Sequence, residues 1–531
     1  MDQINVNGLS SSRKTPGFYM SVLLGGPGAS PGSGVIQSIL LGNMIATTLT
    51  GSSPSFSVTA GTQQVSGTAT ETAVLLSDSD DAATKFGKGS ELHLMAKKFF
   101  AHYPDGILYA CPVHESGTKA SATLTFVGSA TSSGTVRIYV NESVIDCPIS
   151  SGDTVTTIAT TVATYLRNLG EDLPVTAQFS AGVLTVTARN GGTRGNNIAF
   201  RSAFVNGNNV IPIATSTSQF GTAATITGSG RLSGGSTDDT NTTALANIAN
   251  TRYHRYICAF DDSGNIGRVL TQLDSMAGVT SMLWQQAIFG TITSPATRQT
   301  FAAGTMNTAR AQYVGHENAD NTTGEIAASI CAARLAGDTN QGGILVGEAT
   351  DPAANLDGLI VRIKRQFNPA DIPTPTEVES DLNSGVTTLL PGPNPNYSII
   401  SRSITTRCKV GSSYNYSVLD TTNVTVTDYV AENIKSTLSV DYAGSKLAND
   451  PSDGTAPSIP NVVTPKSIKA RIFSLLKGYE TDGIVTSVTE DYPSLSVVLD
   501  SNVVGRVNAE IPCRPIPGFH IFGANVRQLS N

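Results

Sequence analysis

Between an apolar run at Ala73-Val74-Leu75-Leu76 and another at Ile107 to Val113, the chain places Leu92, Met95, Ala96, Phe99, Phe100 and Tyr103. These fall at i, i+3, i+4, i+7, i+8 and i+11, which is one face of a helix. The punctuation agrees with that spacing. Asp78 to Phe86 is a short helix stopped by Gly87, Ser90 caps the next helix with Glu91 in its first turn, and Pro104-Asp105-Gly106 turns the chain into the second strand. Strand, helices and strand within residues 73 to 113 commit this part of the chain to an α/β unit.

The same alternation returns from Asp238 to about Pro395. A helix is predicted over Thr242 to Thr251, a strand at Tyr256 to Phe260 running into Asp261-Asp262, and a helix from Ile266 to Met276. Strands at Ala287 to Phe289 and Gln312 to Val314 follow, then a helix from Thr323 to Leu335. A partly parallel sheet with helices on its faces is expected.

Between these halves, residues 114 to 236 read differently. Period-two alternation marks strands at Ala122 to Phe126, Val136 to Val140, Val175 to Phe179 and Val183 to Ala188. One helix, with Asp153 as its cap and Gly170 as its stop, carries Val155, Ile158, Ala159, Val162 and Leu166. This is an insertion, mostly β, decorating the main domain. An adhesion or carbohydrate-binding module is the rival reading, and the segment has few aromatics for stacking on sugars.

Residues 1 to about 20 read as an arm, with Ile4, Val6 and Leu9 too few to bury themselves, and Gly25 to Gly34 reads as a flexible linker. At the other end a helix carries Val426, Val430, Ile434, Leu438 and Tyr442 on one stripe. Thr464 caps a second, with Pro465 at its first position and Ile468, Ile472, Leu475, Leu476 and Tyr479 facing inward. Ser401 to Arg407 reads as a polar strand, Ser494 to Leu499 as another, and Phe519 to Leu529 as one or two more that end the chain.

A net charge of -7 gives no concentrated basic surface for nucleic acid. No apolar run approaches the ~20 residues that span a bilayer. The polar start Met1 to Asn5 lacks a basic-then-apolar signal, so folding in a cytoplasm is expected. Cys111, Cys147, Cys258, Cys331, Cys408 and Cys513 share no C-x-x-C spacing and read as reduced, small hydrophobes; no metal and no cofactor is expected. Neither G-x-S-x-G nor H-E-x-x-H occurs. Asp261-Asp262 with His254 upstream is the best candidate for a catalytic cluster, and acidic residues after a strand are more often turn formers. His93 reads as a boundary residue beside its helix's apolar face. No catalytic residues are assigned, and the chain is not expected to be an enzyme.

Short motifs in order carry a resemblance. Arg402, Ile404, Thr405 and Thr406 match "R-x-I-T-T"; Lys446 to Asp450 match "K-L-A-D-D" with Asn449 for the first Asp; Val463 to Lys466 match "V-T-P-K". Phe86-Gly87-x-Gly89-Ser90 matches "F-G-x-G-S", Gly192-x-x-Gly195-Asn196 fits "G-x-x-G-N" in the insertion, and Pro16-Gly17-Phe18-Tyr19 fits "P-G-x-Y", with Met20-Ser21-Val22 where acidic residues are usual. Together these resemble the contractile-tail sheath proteins of Mu-like phages. The family's subtilisin-like description is a likeness of fold, which does not carry activity.

The resemblance implies a multidomain chain of α/β and α+β class. Its parts would be an N-terminal arm and linker at 1–30, an α/β main sheath domain from 31–113 with 237–395, a β-rich outer insertion at 114–236, and an α+β inner domain with a terminal strand arm at 396–531. It implies a sheath homo-oligomer of hexameric rings stacked in a helix around a tail tube, with baseplate and tail terminator or neck proteins as further partners, in the virion. Ile4, Val6, Leu9, Ile521, Phe522, Val526 and Leu529 would lie in arms that add strands to neighbouring subunits. Lys466, Lys469 and Lys477, off the apolar stripe of their helix, are candidates to face the tube. A sheath of a phage-derived bacteriocin or secretion apparatus would use the same chain; a cell-surface hydrolase is the alternative of a different class.

Overall fold

Gln37–Asn43 lies inside a sheet, third from one edge, because it is apolar on both faces: Ile39 and Leu41 point to one side, Leu40 to the other, and all three are fully buried. In the computed structural model the described residues are 18–20, 36–50, 57–65, 67–168, 172–228, 230–336, 348, 351–364, 371–411, 413–415, 418–451 and 461–527. Among them the sheet has nine strands. Their order is Ile360–Val361, Ser398–Ile400, Thr387–Pro391, Ala311–Gly315, Gln286–Thr291, Arg255–Cys258, Gln37–Asn43, Ile107–Val113 and Val74–Leu76. The strands from Thr387–Pro391 to Ile107–Val113 are parallel, and the edges are antiparallel.

Helices cover both faces. Ser79–Phe86, Glu91–His102 and Thr323–Ala336 pack with Leu40 on one side; Thr242–Ile248 and Ser263–Met276 pack with Ile39 and Leu41 on the other. Thr323–Ala336 is buried from Thr323 to Leu335, as suits a helix apolar on most of its circumference. The α/β reading of both halves holds, with Ser90 capping its helix as expected; Asp78 caps its helix rather than beginning it, and Asp262 is a cap where a turn former was expected.

Residues 118–236 build two antiparallel sheets of their own. One is Ser143–Ile149, Gly134–Val140, Phe200–Asn206 and Asn209–Pro212. The other is Val175–Ser180, Val183–Ala188, Ser121–Val127, Thr222–Ile226 and Thr217–Gln219. They enclose one core with the helix Val155–Asn168. Pro148 hid the Ser143–Ile149 strand from sequence reading; it is tolerated because that strand is an edge. The helix is capped by Thr154, whose hydroxyl accepts from the Thr157 amide, and not by Asp153, whose carboxylate accepts from Ser150 N–H. The expected stop at Gly170 lies outside the described residues.

The C-terminal unit packs the helices Thr421–Asp441 and Pro465–Thr481 around Val430, Ile434, Leu438, Ile472, Leu476 and Tyr479. A hairpin, Ser496–Leu499 with Val507–Glu510, lies on that core, and Met20 packs against it. Ser401 to Arg407 is not a strand. It makes a single bridge, Ile404 with Asp420, and its hydroxyls bond outward. Phe519 to Arg527 likewise forms no strand.

Candidate functional site

The motifs of the C-terminal unit act as joints. Arg402 grips Asp420 with two hydrogen bonds of 2.8 and 3.0 Å. Buried Thr405 donates its hydroxyl to Val418 O at 2.7 Å, and Thr406 to Thr308 O at 2.9 Å. The segment thereby sews the start of the long helix Thr421–Asp441 to the edge of the main sheet. Lys446–Leu447 pairs in parallel with Val462–Val463, so the second and third motifs lie side by side. Thr464 and Ser467 form a reciprocal cap, Pro465 takes the first helical position, and Asp450 accepts from Lys466 N–H at 2.9 Å. Orphan amides and a helix dipole explain these residues without chemistry.

The long helix belongs to two cores. Up to Glu432 it is bound to the N-terminal ends of the parallel strands by ion pairs, buried at Asp428 and partly exposed at Glu432. Arg310 pairs bidentately with Asp428 at 3.0 Å, Arg255 donates to Thr425 at 2.9 Å, and Arg252 pairs with Glu432. Arg255 also meets Glu348, which Arg334 holds from the other side. Burial alone would raise the Glu348 carboxyl; the two guanidiniums outweigh it and hold the group below its ordinary range. Its second half carries Val430, Ile434 and Leu438 into the C-terminal core. Removing one partner of such a buried pair costs about 3–5 kcal/mol, so the two units are held rigidly here.

Lys466, Lys469 and Lys477 share one side of the helix Pro465–Thr481. Lys469 lies 4.3 Å from the Tyr492 ring centroid, and Lys477 pairs with Glu480 and donates to Thr489 at 3.2 Å. Their charges are therefore partly engaged within the subunit.

Of the predicted arm residues, Ile4, Val6, Leu9 and Leu529 lie outside the described residues. Ile521, Phe522 and Val526 are 83%, 78% and 99% exposed, with Phe519 at 76%. Four large apolar side chains in nine residues of surface chain make the clearest unburied apolar segment among the described residues. The neighbouring hairpin has only two strands, and Val504 at its turn is fully exposed.

The suspected catalytic cluster is not assembled. His254 precedes and Asp261 follows one strand, about 20 Å apart at ~3.3 Å per residue. His254 Nδ1 accepts from Gln37 N–H at 3.2 Å, and Asp262 caps the helix Ser263–Met276. Strand order reverses at Gln37–Asn43, with Ile107–Val113 on one side and Arg255–Cys258 on the other while all three run parallel, and open α/β sheets bind ligands in the crevice beyond the strand ends at such a point. Here that crevice is filled. Arg194 of the insertion enters it, donating to Glu91 at 2.9 Å and to Asn43, within 3.5 Å of Asp238 and 5.3 Å from the Phe260 ring centroid. Asn197 donates to Asp261 at 2.7 Å. Burial raises the Asp261 carboxyl above its ordinary range, opposed by Arg194 and Asn197. Arg194 was legible only as part of a glycine-flanked loop; nothing local marks it as a plug.

His93 is a further correction. It is 2% exposed, not a boundary residue, and its Nδ1 accepts from Gly89 N–H at 2.9 Å. Gly87 and Gly89 have φ of +87° and +72°. A Cβ on Gly89 would strike the Leu173 carbonyl and the Arg189 side chain of the insertion, which explains a second glycine at this helix-to-helix turn. All six cysteines are free, and burial pushes the thiols of Cys111 and Cys147 up to about 12.

The family model described as the phage tail sheath C-terminal domain matches residues 414–528. The Mu-like prophage FluMu tail sheath protein of Haemophilus influenzae is 26% identical over 449 residues, 82% of this chain and 85% of that protein. Among solved structures, a sheath tail protein from Listeria innocua is 10% identical, with TM-score 0.43, covering 89% of this chain and 90% of its own. The helical sheath of the anti-feeding prophage in its contracted state is 8% identical, with TM-score 0.42, covering 97% of this chain and 99% of its own. The chain carries a phage tail sheath C-terminal domain and is a relative of the Mu-like phage tail sheath proteins.

Proposed function

We propose that this protein is the subunit of a contractile phage tail sheath: it polymerises as stacked hexameric rings around a tail tube, and the rings contract to drive the tube through the host envelope. The work of contraction comes from subunit contacts that improve between two packed arrangements of one lattice, with no nucleotide consumed. The tube protein, baseplate and terminator or neck proteins are its partners, and assembly takes place in the host cytoplasm before the sheath becomes part of the virion.

The observation that carries this reading is the exposed run Phe519, Ile521, Phe522 and Val526, together with a C-terminal hairpin of only two strands. An unpaired strand edge is a template for another chain, and an apolar arm needs a surface to cover it. A donated strand contributes roughly 0.5–1.5 kcal/mol per backbone hydrogen bond, so several make a tether between subunits that still rotate. The N-terminal residues Ile4, Val6 and Leu9 serve the same purpose. Removing residues 1 to 14, or everything after Gly518, leaves a folded subunit that forms no tubes. Polymerisation of both truncated proteins into sheaths would refute strand exchange as the link.

A further inference from the structure

The last described residues are held at two points before the chain becomes free, and the points lie on different units. At the inner point, Arg514 O accepts from Thr486 N–H at 2.9 Å, Pro515 bridges to Val485, and Ile516 N–H donates to Ile484 O at 3.3 Å. Arg514 also pairs with Asp491 at 2.7 Å. All of these partners follow the helix Pro465–Thr481 and belong to the C-terminal unit.

At the outer point, His520 enters a cleft lined by Asn355, Asp357, Ser403, Asp420, Thr422 and Ile516. Its Nδ1 contacts Asp357, and its Nε2 lies 3.5 Å from Asp420 Oδ2. Asp357 sits in a turn fixed to the main sheet: its amide donates to Asn355 Oδ1 at 3.1 Å, and Gly358 N–H donates to Ile400 O at 2.9 Å. Asp420 precedes the long helix but makes no capping bond with its side chain, which is committed to Arg402 and His520. Gly518 lets the chain approach, since a Cβ there would lie 2.8 Å from the His520 ring and 3.0 Å from Asn355 Oδ1.

We propose that residues 514–520 are a two-point strap, and that its outer point, His520 between Asp357 and Asp420, is a releasable clasp that sets where the C-terminal arm leaves its own subunit. With the clasp closed, the free arm starts at Ile521. With it open and the inner point intact, residues 517 to 520 join the arm. Four residues at ~3.3 Å each add about 13 Å of reach. The clasp has the qualities of a release point: one ring, two carboxylates at the surface of a cleft, and no apolar anchor, since Phe519 and Ile521 on either side are exposed. The use of that reach in a moving lattice rests on the strand-exchange reading; the clasp itself does not.

The test is limited proteolysis with chymotrypsin, together with hydrogen exchange, on the soluble full-length chain before assembly. His520→Ala is expected to speed cleavage after Phe519 at least tenfold, while the hydrogen-bonded amides 484–486 and 516 stay as protected as in the parent. Asp357→Ala, which leaves the cleaved sequence unchanged, is expected to act in the same direction and to add little to His520→Ala, and His520→Lys is expected to recover part of the resistance. Unchanged cleavage after Phe519 in both single variants would overturn the clasp. Equal loosening at 484–486 would overturn the two-point strap. These readouts are made without polymerisation, and the truncation of residues 1 to 14, which leaves the clasp intact, tests strand exchange apart from it.

Discussion

At the scale of single residues, the positions that mattered most are those whose partners are distant in sequence. Thr464 and Pro465 were legible as a helix start because a cap is closed by atoms three residues away. His93 was not legible, because it is bonded to Gly89, against which the insertion packs Arg189 and Leu173 from far along the chain. That burial has a pH consequence. Loss of solvent lowers the His93 pKa to about 4, and those of His102 and His254 to about 3, the last two helped by neighbouring cations. A folded-state pKa below the unfolded value of ~6.5 means the unfolded chain binds the proton first. Stability is therefore full above pH ~6.5 and is lost as pH falls toward the folded values, by up to ~1.4 kcal/mol per pH unit for each histidine. The melting temperature is expected to fall steadily from pH 7 to pH 4.5, and His93→Gln to fall less steeply over the same range. Identical slopes for parent and variant would show that His93 is already titrating normally in the folded chain.

At the scale of elements, alternation and helical stripes located five strands of the main sheet, both its helical faces and the two C-terminal helices, and missed the strands Gln37–Asn43, Ile360–Val361, Thr387–Pro391 and Ser398–Ile400. They misplaced Ser401–Arg407, where polar alternation served hydroxyl bonds to Val418 and Thr308 rather than a ladder. The insertion proves more tightly joined than a decoration. Besides Arg194, Arg201 donates to Asp320 at 2.7 Å and Arg231 to Ala319 O at 2.7 Å. Its entry and exit strands nevertheless run together, with Thr118 bridged to Ser236, and its core is separate. Its position on the outer sheath surface is a proposal that its separate core suggests. Replacing residues 114 to 236 by a short linker is expected to leave a folded protein that still polymerises but melts several degrees lower; an insoluble product would show that the main core depends on it. For the helix Pro465–Thr481, changing Lys466, Lys469 and Lys477 to Glu is expected to keep the circular dichroism of the parent and weaken co-assembly with a tail tube. Undiminished tube decoration by that variant would remove these lysines from the tube interface.

At the scale of the whole molecule, the long helix Thr421–Asp441 makes a stiff body of the α/β and C-terminal units, fastened by Asp428 and Glu432 to one and by Ile434 and Leu438 to the other. What such a body leaves exposed is the apolar arm after His520 and the edges of a small hairpin. The arm reads as strand in the sequence and forms none in the structure, because its apolar residues find no strand to pair with within the subunit. The central claim is that a second copy supplies one. Electron microscopy of the purified full-length chain tests this most directly. The account predicts tubes or stacked six-fold rings, with density for residues 519–527 paired against the Ser496–Glu510 hairpin of a neighbouring subunit. A population that stays monomeric across concentrations and salts that favour assembly, or tubes in which residues 519–527 pair only within their own subunit, would contradict it.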